Sequence, residues 1–467
     1  MINKMKYFSL SKFFIFVSVL AIAIVTISTL FPFIVGKYVW FRTSVDLALI
    51  FFLLGLLFQD KLLETSRRLM SIFKKPLVIA VSVFVLMFLL ACFFGIDPKM
   101  SFWSNFERGE GGLQILHFYV FFLLLITLFK EEKDWQRMFV MAIIGGLGMA
   151  FYGLLAGWGT ENFVGTRFSD PGFRFQGSIG NPAYVAAYAI FMLFYAAYLL
   201  VSKYKDRLLS FGALALWFLI VLFSVVFFAA ATRGAFMGLI AAIIVFVGYL
   251  AFSSRRWRKR LLSAGAIILL IVGLLIYFKN VSFIKSLPFS RVFDISFSAK
   301  TFEDRAIMWQ VAIDGWKERP ILGWGPENYL KIFDRHFNIK YFTPSQGFGA
   351  WFDRAHSIYF DYLAETGILG ILSFLSIWIV FYWRFFSKTR INADKKLIYA
   401  DKNKKSALIS QDQHQSAWQR ALFLSLPIAY LVQGIVLFDV FPIYMNIFLF
   451  LAFSSWIFHK QTLNPKP

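Results

Sequence analysis

Apolar runs of 18 residues or more recur along this chain from one end to the other, and each is long enough to cross a hydrocarbon core of roughly 30 Å. Inside lipid such a run has no water to satisfy its backbone N–H and C=O groups, so it must be helical. The alternating pattern of an outer-membrane barrel is absent. The sequence therefore predicts an all-α polytopic membrane protein. Composition agrees: 59% of the 467 residues are hydrophobic, 60 are Phe and only 16% are charged. That charge is too sparse to cover a soluble protein of this length.

Twelve spans are predicted, near 13–35, 38–58, 77–95, 113–129, 138–157, 182–201, 208–231, 234–252, 261–278, 358–383, 421–438 and 441–458. The first follows Lys4, Lys6 and Lys12, as a signal sequence would. It is longer than a typical signal core and lacks a clear small-residue cleavage site, so it reads as an uncleaved helix. With the N-terminus inside, the cytoplasmic segments hold 30 of the 48 Lys and Arg, and the short outer loops hold seven. The long segment 279–357 holds the other eleven and is exempt from the comparison. This asymmetry sets the orientation and accounts for the net charge of +22 without a nucleic-acid partner. Three parts follow: spans 1–9 over 1–278, an extracytoplasmic helical segment at 279–357, and spans 10–12 over 358–467. Arg67-Arg68, Lys74-Lys75 and the run Arg255–Arg260 fall on the inner side. So does the loop 387–416, with Asp394-Lys395-Lys396 and Lys402-Asn403-Lys404-Lys405, which is expected to be solvated, mobile and suited to an anionic leaflet.

Four clusters with chemical potential fall on the outer side of this topology. Thr232-Arg233-Gly234-Ala235-Phe236 interrupts the apolar stretch Leu208–Phe252, so Arg233 is expected at a tight hairpin at the membrane surface. Its Arg either snorkels to the headgroups or serves a site, since ionisable groups at membrane depth are costly. A second cluster opens a helix at Thr301-Phe302-Glu303-Asp304 and ends before Pro320. Arg305 shares its apolar stripe with Trp309, Ala312 and Trp316 and needs an anionic partner, internally Asp294 or Asp353. The third is the turn Ile321-Leu322-Gly323-Trp324-Gly325-Pro326-Glu327-Asn328-Tyr329, where Gly and Pro by themselves signal only a turn. The fourth, Ala355-His356-Ser357, opens the span that continues through Tyr359, Leu363 and Glu365-Thr366-Gly367-Ile368-Leu369-Gly370. His356 is a candidate base, or a plain interface residue, and His336, beside Arg335, is its rival. Arg167, Arg174 and Asn181-Pro182 precede the sixth predicted span, with Asn181 well suited to cap it. His117 lies within the fourth span, while His414 and His459 fall inside. There is no HExxH, Asp-rich metal motif, Walker sequence or GxSxG, and Cys92 stands alone in an apolar run. Neither a metal nor a cofactor is expected.

Taken in order, Arg233 in its Thr-Arg-Gly-Ala hairpin, Arg305 in Asp-Arg-x-x-x-Trp, Pro320 with Gly323 and Gly325, and His356 followed by Leu363, Gly367 and Gly370 resemble the O-antigen ligase superfamily. The resemblance covers roughly residues 170 to 375. That superfamily includes O-antigen ligases, O-antigen polymerases and protein O-oligosaccharyltransferases. The resemblance implies a multi-pass protein of the cytoplasmic (inner) membrane with its active site facing outward. It implies a donor glycan on undecaprenyl pyrophosphate and an acceptor hydroxyl on a glycolipid, another glycan or a protein, with no metal. Carried over, Arg233 and Arg305 match the family's two essential arginines, and His356 matches its His. Arg174, Asn181, Tyr329 and His336 are expected as secondary contacts to pyrophosphate or sugar. The chemistry suits these types: guanidinium pairs with phosphate bidentately, fixed cations stabilise a charged leaving group, and His takes the acceptor proton. Direct displacement would invert the anomeric centre. A transporter or flippase for lipid-linked glycan is the rival of another class. Carriers, however, commonly show related halves and midplane charges, and neither is evident here.

Overall fold

The computed structural model describes residues 4–58, 70–105, 107–157, 173–285, 287, 290–294, 300–339, 351–400 and 406–463. Arg67-Arg68, Arg167 and the Lys402–Lys405 run lie outside the described residues. Among those described, the chain is helical and has no strand. The helices are α1 (Lys4–Ser18), α2 (Val35–Leu57), α3 (Pro76–Phe94), α4 (Pro98–Trp103), α5 (Gly112–Leu128), α6 (Glu132–Gly157), α7 (Pro182–Lys203) and α8 (Phe211–Ala229). They continue with α9 (Arg233–Ser253), α10 (Arg258–Tyr277), α11 (Ser282–Lys285), α12 (Lys300–Glu318), α13 (Tyr329–Arg335), α14 (Ile358–Ala400), α15 (Ser406–Gln433) and α16 (Phe441–Leu463).

Ten helical segments among the described residues are long and apolar enough to cross a membrane, so the chain is a polytopic all-helical membrane protein. Ten is fewer than the twelve expected. Over the segment expected at 113–129, α5 has 17 residues, about 26 Å at 1.5 Å per residue. The segment expected at 421–438 belongs to α15, which begins in polar sequence and ends at Gln433. The first span also shifts, to Lys6–Ala23. There α1 runs into a 3₁₀ turn (Val19–Ala23), and the chain then folds back on itself, with Thr26 N donating to Pro32 O. Thr26, Thr29 and Pro32 satisfy one another locally and break the expected run. Residues 387–400, expected as mobile loop, continue α14 instead.

By packing, the chain divides into two compact units. The first comprises Met1–Met141, Ser296–Phe381 and Gly434–Pro467, and the second Ala142–Ile295 and Tyr382–Gln433. The segment 279–357 is thus shared between them. In the first unit α1 packs on α2, and α5 on α16, through a cluster of rings that includes Phe41, Phe118, Phe441 and Phe448. In the second, α9 lies along α15 and α7 along α8. No residue of α10 is buried, which suits a helix that is apolar all round and faces lipid.

Candidate active site

In the second unit, α8 and α9 are joined by only Ala230, Ala231 and Thr232, as the interrupted apolar stretch predicts. Ala231 takes a left-handed conformation (φ 47°), and the turn is held from outside. Phe175 N donates to Ala229 O (3.0 Å), Arg174 Nε to Ala230 O (3.1 Å) and Arg174 Nη2 to Thr232 Oγ1 (3.0 Å). Arg233 is the first residue of α9, where the helix dipole disfavours a cation. Its charge is met by Asp294: Arg233 Nη2 donates to Oδ2 and Lys279 Nζ to Oδ1, both at 2.8 Å. The hydrogen bond from Lys279, with the charges of Arg233 and Arg291, holds the Asp294 carboxyl below the usual carboxylate range. Burial pushes the Arg174 guanidinium down to about 10, and the like charges of Arg291 and Arg233 add to it. Arg233, Arg291 and Lys279 therefore gather around the carboxylate of Asp294, itself half exposed, and Arg174 lies within electrostatic reach of Arg233 and Arg291.

The first unit holds Arg305 and His356. In α12 the buried seam runs through Met308, Val311 and Ala312. Of the expected stripe Trp309, Ala312 and Trp316, Ala312 lies in this seam, while Met308 and Val311, at i–4 and i–1 from it, take the buried places beside it. Trp309 flanks it and stacks on Phe360 (centroids 5.2 Å apart), while Trp316 Nε1 donates to Pro320 O. With Trp324, Tyr329, Ile332, Phe333, Ala355 and Ala364, the seam makes a small core under the site. The glycine-rich turn docks backbone to backbone on α14: Trp324 N donates to Ala364 O (3.0 Å), Gly325 N to Glu365 O (2.8 Å) and Ile368 N to Pro320 O (2.8 Å). Both partners need glycine. Gly323 (φ 69°) and Gly367 (φ 66°) are left-handed, and a Cβ on Gly323 would sit 2.6 Å from Glu365 O.

His356, also left-handed (φ 59°), lies two residues before α14. Its ring meets Phe352 and Phe438 edge-on, centroids 5.0 and 5.2 Å away, and Nδ1 lies 3.1 Å from Arg354 O. Around this turn the charges are densely paired. Arg108 forks onto Asp353 at 2.7 and 2.9 Å. The buried Arg354 donates from Nη1 to Glu365 (3.2 Å) and from Nη2 to Glu327, with Glu110 Oε2 at 3.9 Å. Asp361 Oδ1 accepts from Ala355 N at 2.6 Å. Glu110, Glu327, Arg354, Asp361, Glu365 and Tyr444 line a cavity of about 20 Å³, room for a water molecule. Burial works against the Arg354 charge, but Glu327, Glu365, Asp353 and Glu110 outweigh it and hold the guanidinium protonated. Burial pushes Glu110 up to about 8, against the attraction of Arg354. It also lowers His356, and the positive charges of Arg305 and Arg108 lower it further. Arg305 is thus within electrostatic reach of the imidazole. Among the described residues, no group of three or more His, Cys, Asp or Glu is arranged to hold a metal ion; these carboxylates converge on a guanidinium instead.

The secondary residues separate by role. Asn181 caps α7, accepting from Ala183 N at 2.9 Å. Tyr329 is fully buried and donates its hydroxyl to Met308 O at 2.7 Å, so that group is spent in the core. His336 Nε2 lies 3.1 Å from Glu318, which also receives Arg335. The internal partners considered for Arg305 are engaged elsewhere, Asp294 by Arg233 and Lys279, Asp353 by Arg108. The sequence reading gave no role to Arg354, Glu327, Glu365, Glu110 or Asp361. Their one legible signal was position: Arg354 two residues before His356, Glu365 two before Gly367, and Glu327 inside the glycine-rich turn.

No curated protein matches this chain. Residues 218–375 match the family model described as O-antigen ligase, and that span takes in Arg233, Arg305, the Gly323–Gly325 turn, His356 and Gly367. Over residues 218–375 the chain is thus similar to the same family that its ordered motifs resemble.

Proposed function

We propose that this protein transfers a glycan from a lipid-pyrophosphate carrier, undecaprenyl pyrophosphate, to an acceptor hydroxyl on the outer side of the cytoplasmic membrane, with inversion and without a metal. The gathering of Arg233, Arg291 and Lys279 around Asp294, with Arg174 coupled to Arg233 and Arg291, carries this reading. Like charges brought together at low dielectric repel, and a pyrophosphate has the charge and the oxygens to occupy them. As the C1–O bond breaks, the leaving diphosphate gains charge that fixed guanidinium groups stabilise. His356, kept largely neutral by burial, is the base that takes the acceptor proton.

The test is transfer by purified protein in liposomes carrying the lipid-linked donor, with excess EDTA present. Arg233→Lys should lose almost as much as Arg233→Ala, because an ammonium cannot reproduce the planar fork. Translocation of the donor in sealed vesicles with no glycosidic product would favour a flippase instead. Whether the protein acts as ligase or polymerase is read from chains after deletion. Lost attachment with chain lengths intact marks a ligase, and loss of all long chains marks a polymerase.

A further inference from the structure

A histidine serves as a base only through the ring nitrogen that lacks a proton, and free imidazole shares its proton between the two. Four features fix the choice at His356. First, Nδ1 lies 3.1 Å from the carbonyl of Arg354; a carbonyl can only accept, so Nδ1 carries the hydrogen. Second, that carbonyl belongs to a residue whose side chain is buried and clamped by Glu327 and Glu365. Third, Asp361 reaches back from the first turn of α14 to take Ala355 N–H at 2.6 Å, and Ser357 Oγ donates to Gly434 O at 3.3 Å. Fourth, His356 is left-handed, a conformation that a residue with a Cβ keeps only where its surroundings over-determine it.

We propose that Arg354 and Asp361 are positioning residues that lock the His356 turn from either side, so that Nδ1 is protonated and Nε2 alone is presented to the acceptor hydroxyl. The inference rests on the reading of His356 as the base. Arg354 sets the carbonyl, Asp361 sets the backbone that follows it, and neither touches substrate. Glu327 brings in the glycine-rich turn: its Oε1 binds Arg354, and its Oε2 accepts from Ser104 Oγ at 3.0 Å. The interlock of that turn with the break at Gly367 thus acts on the orientation of the imidazole. Of the other groups facing the turn, Glu110, Glu365 and Asp353 hold the charge of Arg354, while Arg305, Arg108 and Asp353 act on the charge of the ring.

Nitrogen-15 NMR of histidine-labelled protein in nanodiscs tests this, with the His356 signals assigned by their loss in His356→Gln. The wild type should show Nδ1 protonated and Nε2 free. In Arg354→Lys the ring should shift toward a mixture of tautomers, with kcat falling on the order of 100-fold, as for a misplacement of about 1 Å, and donor KM within about twofold. Asp361→Asn keeps an oxygen acceptor for Ala355 N–H and should retain tautomer and rate, while Asp361→Ala should lose both. Should Arg354→Lys fail to fold, the Asp361 pair decides alone. An unchanged tautomer and kcat in folded Arg354→Lys, or in Asp361→Ala, overturns the proposal. Full activity in His356→Gln would overturn the base reading instead, and the tautomer signal distinguishes the two failures.

Discussion

At the scale of single residues, the sequence supplied Arg233, Arg305 and His356 because each breaks an expectation: a charge in an apolar stretch, a charge on an apolar face, a His at the mouth of a span. Their partners were illegible. Arg354 looks like an ordinary loop cation until folding buries it among carboxylates drawn from four separate stretches of chain. The lowered pKa of His356 makes a prediction with a definite sign. A base whose folded pKa is depressed keeps its neutral form through the ordinary His value near 6.5 and loses it only below. The stability it contributes is likewise present above about 6.5 and lost as pH falls through the folded value. The acid limb of kcat/KM should therefore lie below the ordinary His range, and His356→Gln should remove the limb and slow transfer by about 10²–10⁴. A limb at or above 6.5 would count against His356.

Among the elements, the contact that most depends on sequence is the seat of the Pro320–Gly325 turn on the break in α14. It is made almost wholly of backbone groups, so the residues that permit it are those with the least side chain. A Cβ on Gly367 would collide with the Ile321 carbonyl and stand 2.7 Å from Gly323 N, at a φ of 66°. Gly367→Ala should cost about 1–3 kcal/mol from the backbone conformation, plus whatever the clash imposes on the turn. Gly273 in α10 is the control, since a Cβ there meets nothing within 4 Å and alanine is the better helix former. Thermal unfolding in detergent should show Gly367→Ala melting well below the wild type and Gly273→Ala no lower than it. Similar melting of both variants would mean that the turn is not a structural strut.

At the scale of the whole molecule, helices were more legible than their ends. Hydropathy reports where a chain is apolar, and it located the α8–α9 hairpin to within a few residues. It cannot report local turns such as Thr26–Pro32, which shifted the first span, nor a polar helix continuing past the membrane, as α14 does to Ala400. Sidedness comes from charge alone, through the thirty-to-seven asymmetry of Lys and Arg. That asymmetry predicts that α12 lies outside the cytoplasm, whereas the Arg-rich link between α9 and α10 lies within it. Lys317, more than half exposed on α12, and the exposed Lys259 are convenient reporters, and the one native thiol, Cys92, is buried. In intact cells a membrane-impermeant maleimide should label Lys317→Cys, and should reach Lys259→Cys only after permeabilisation. The outcome bears on chemistry as well as topology, because acceptors on the outer face can reach His356 only if its unit opens there. Labelling at 259 with protection at 317 would invert the orientation, and the donor would then have to be consumed on the cytoplasmic side.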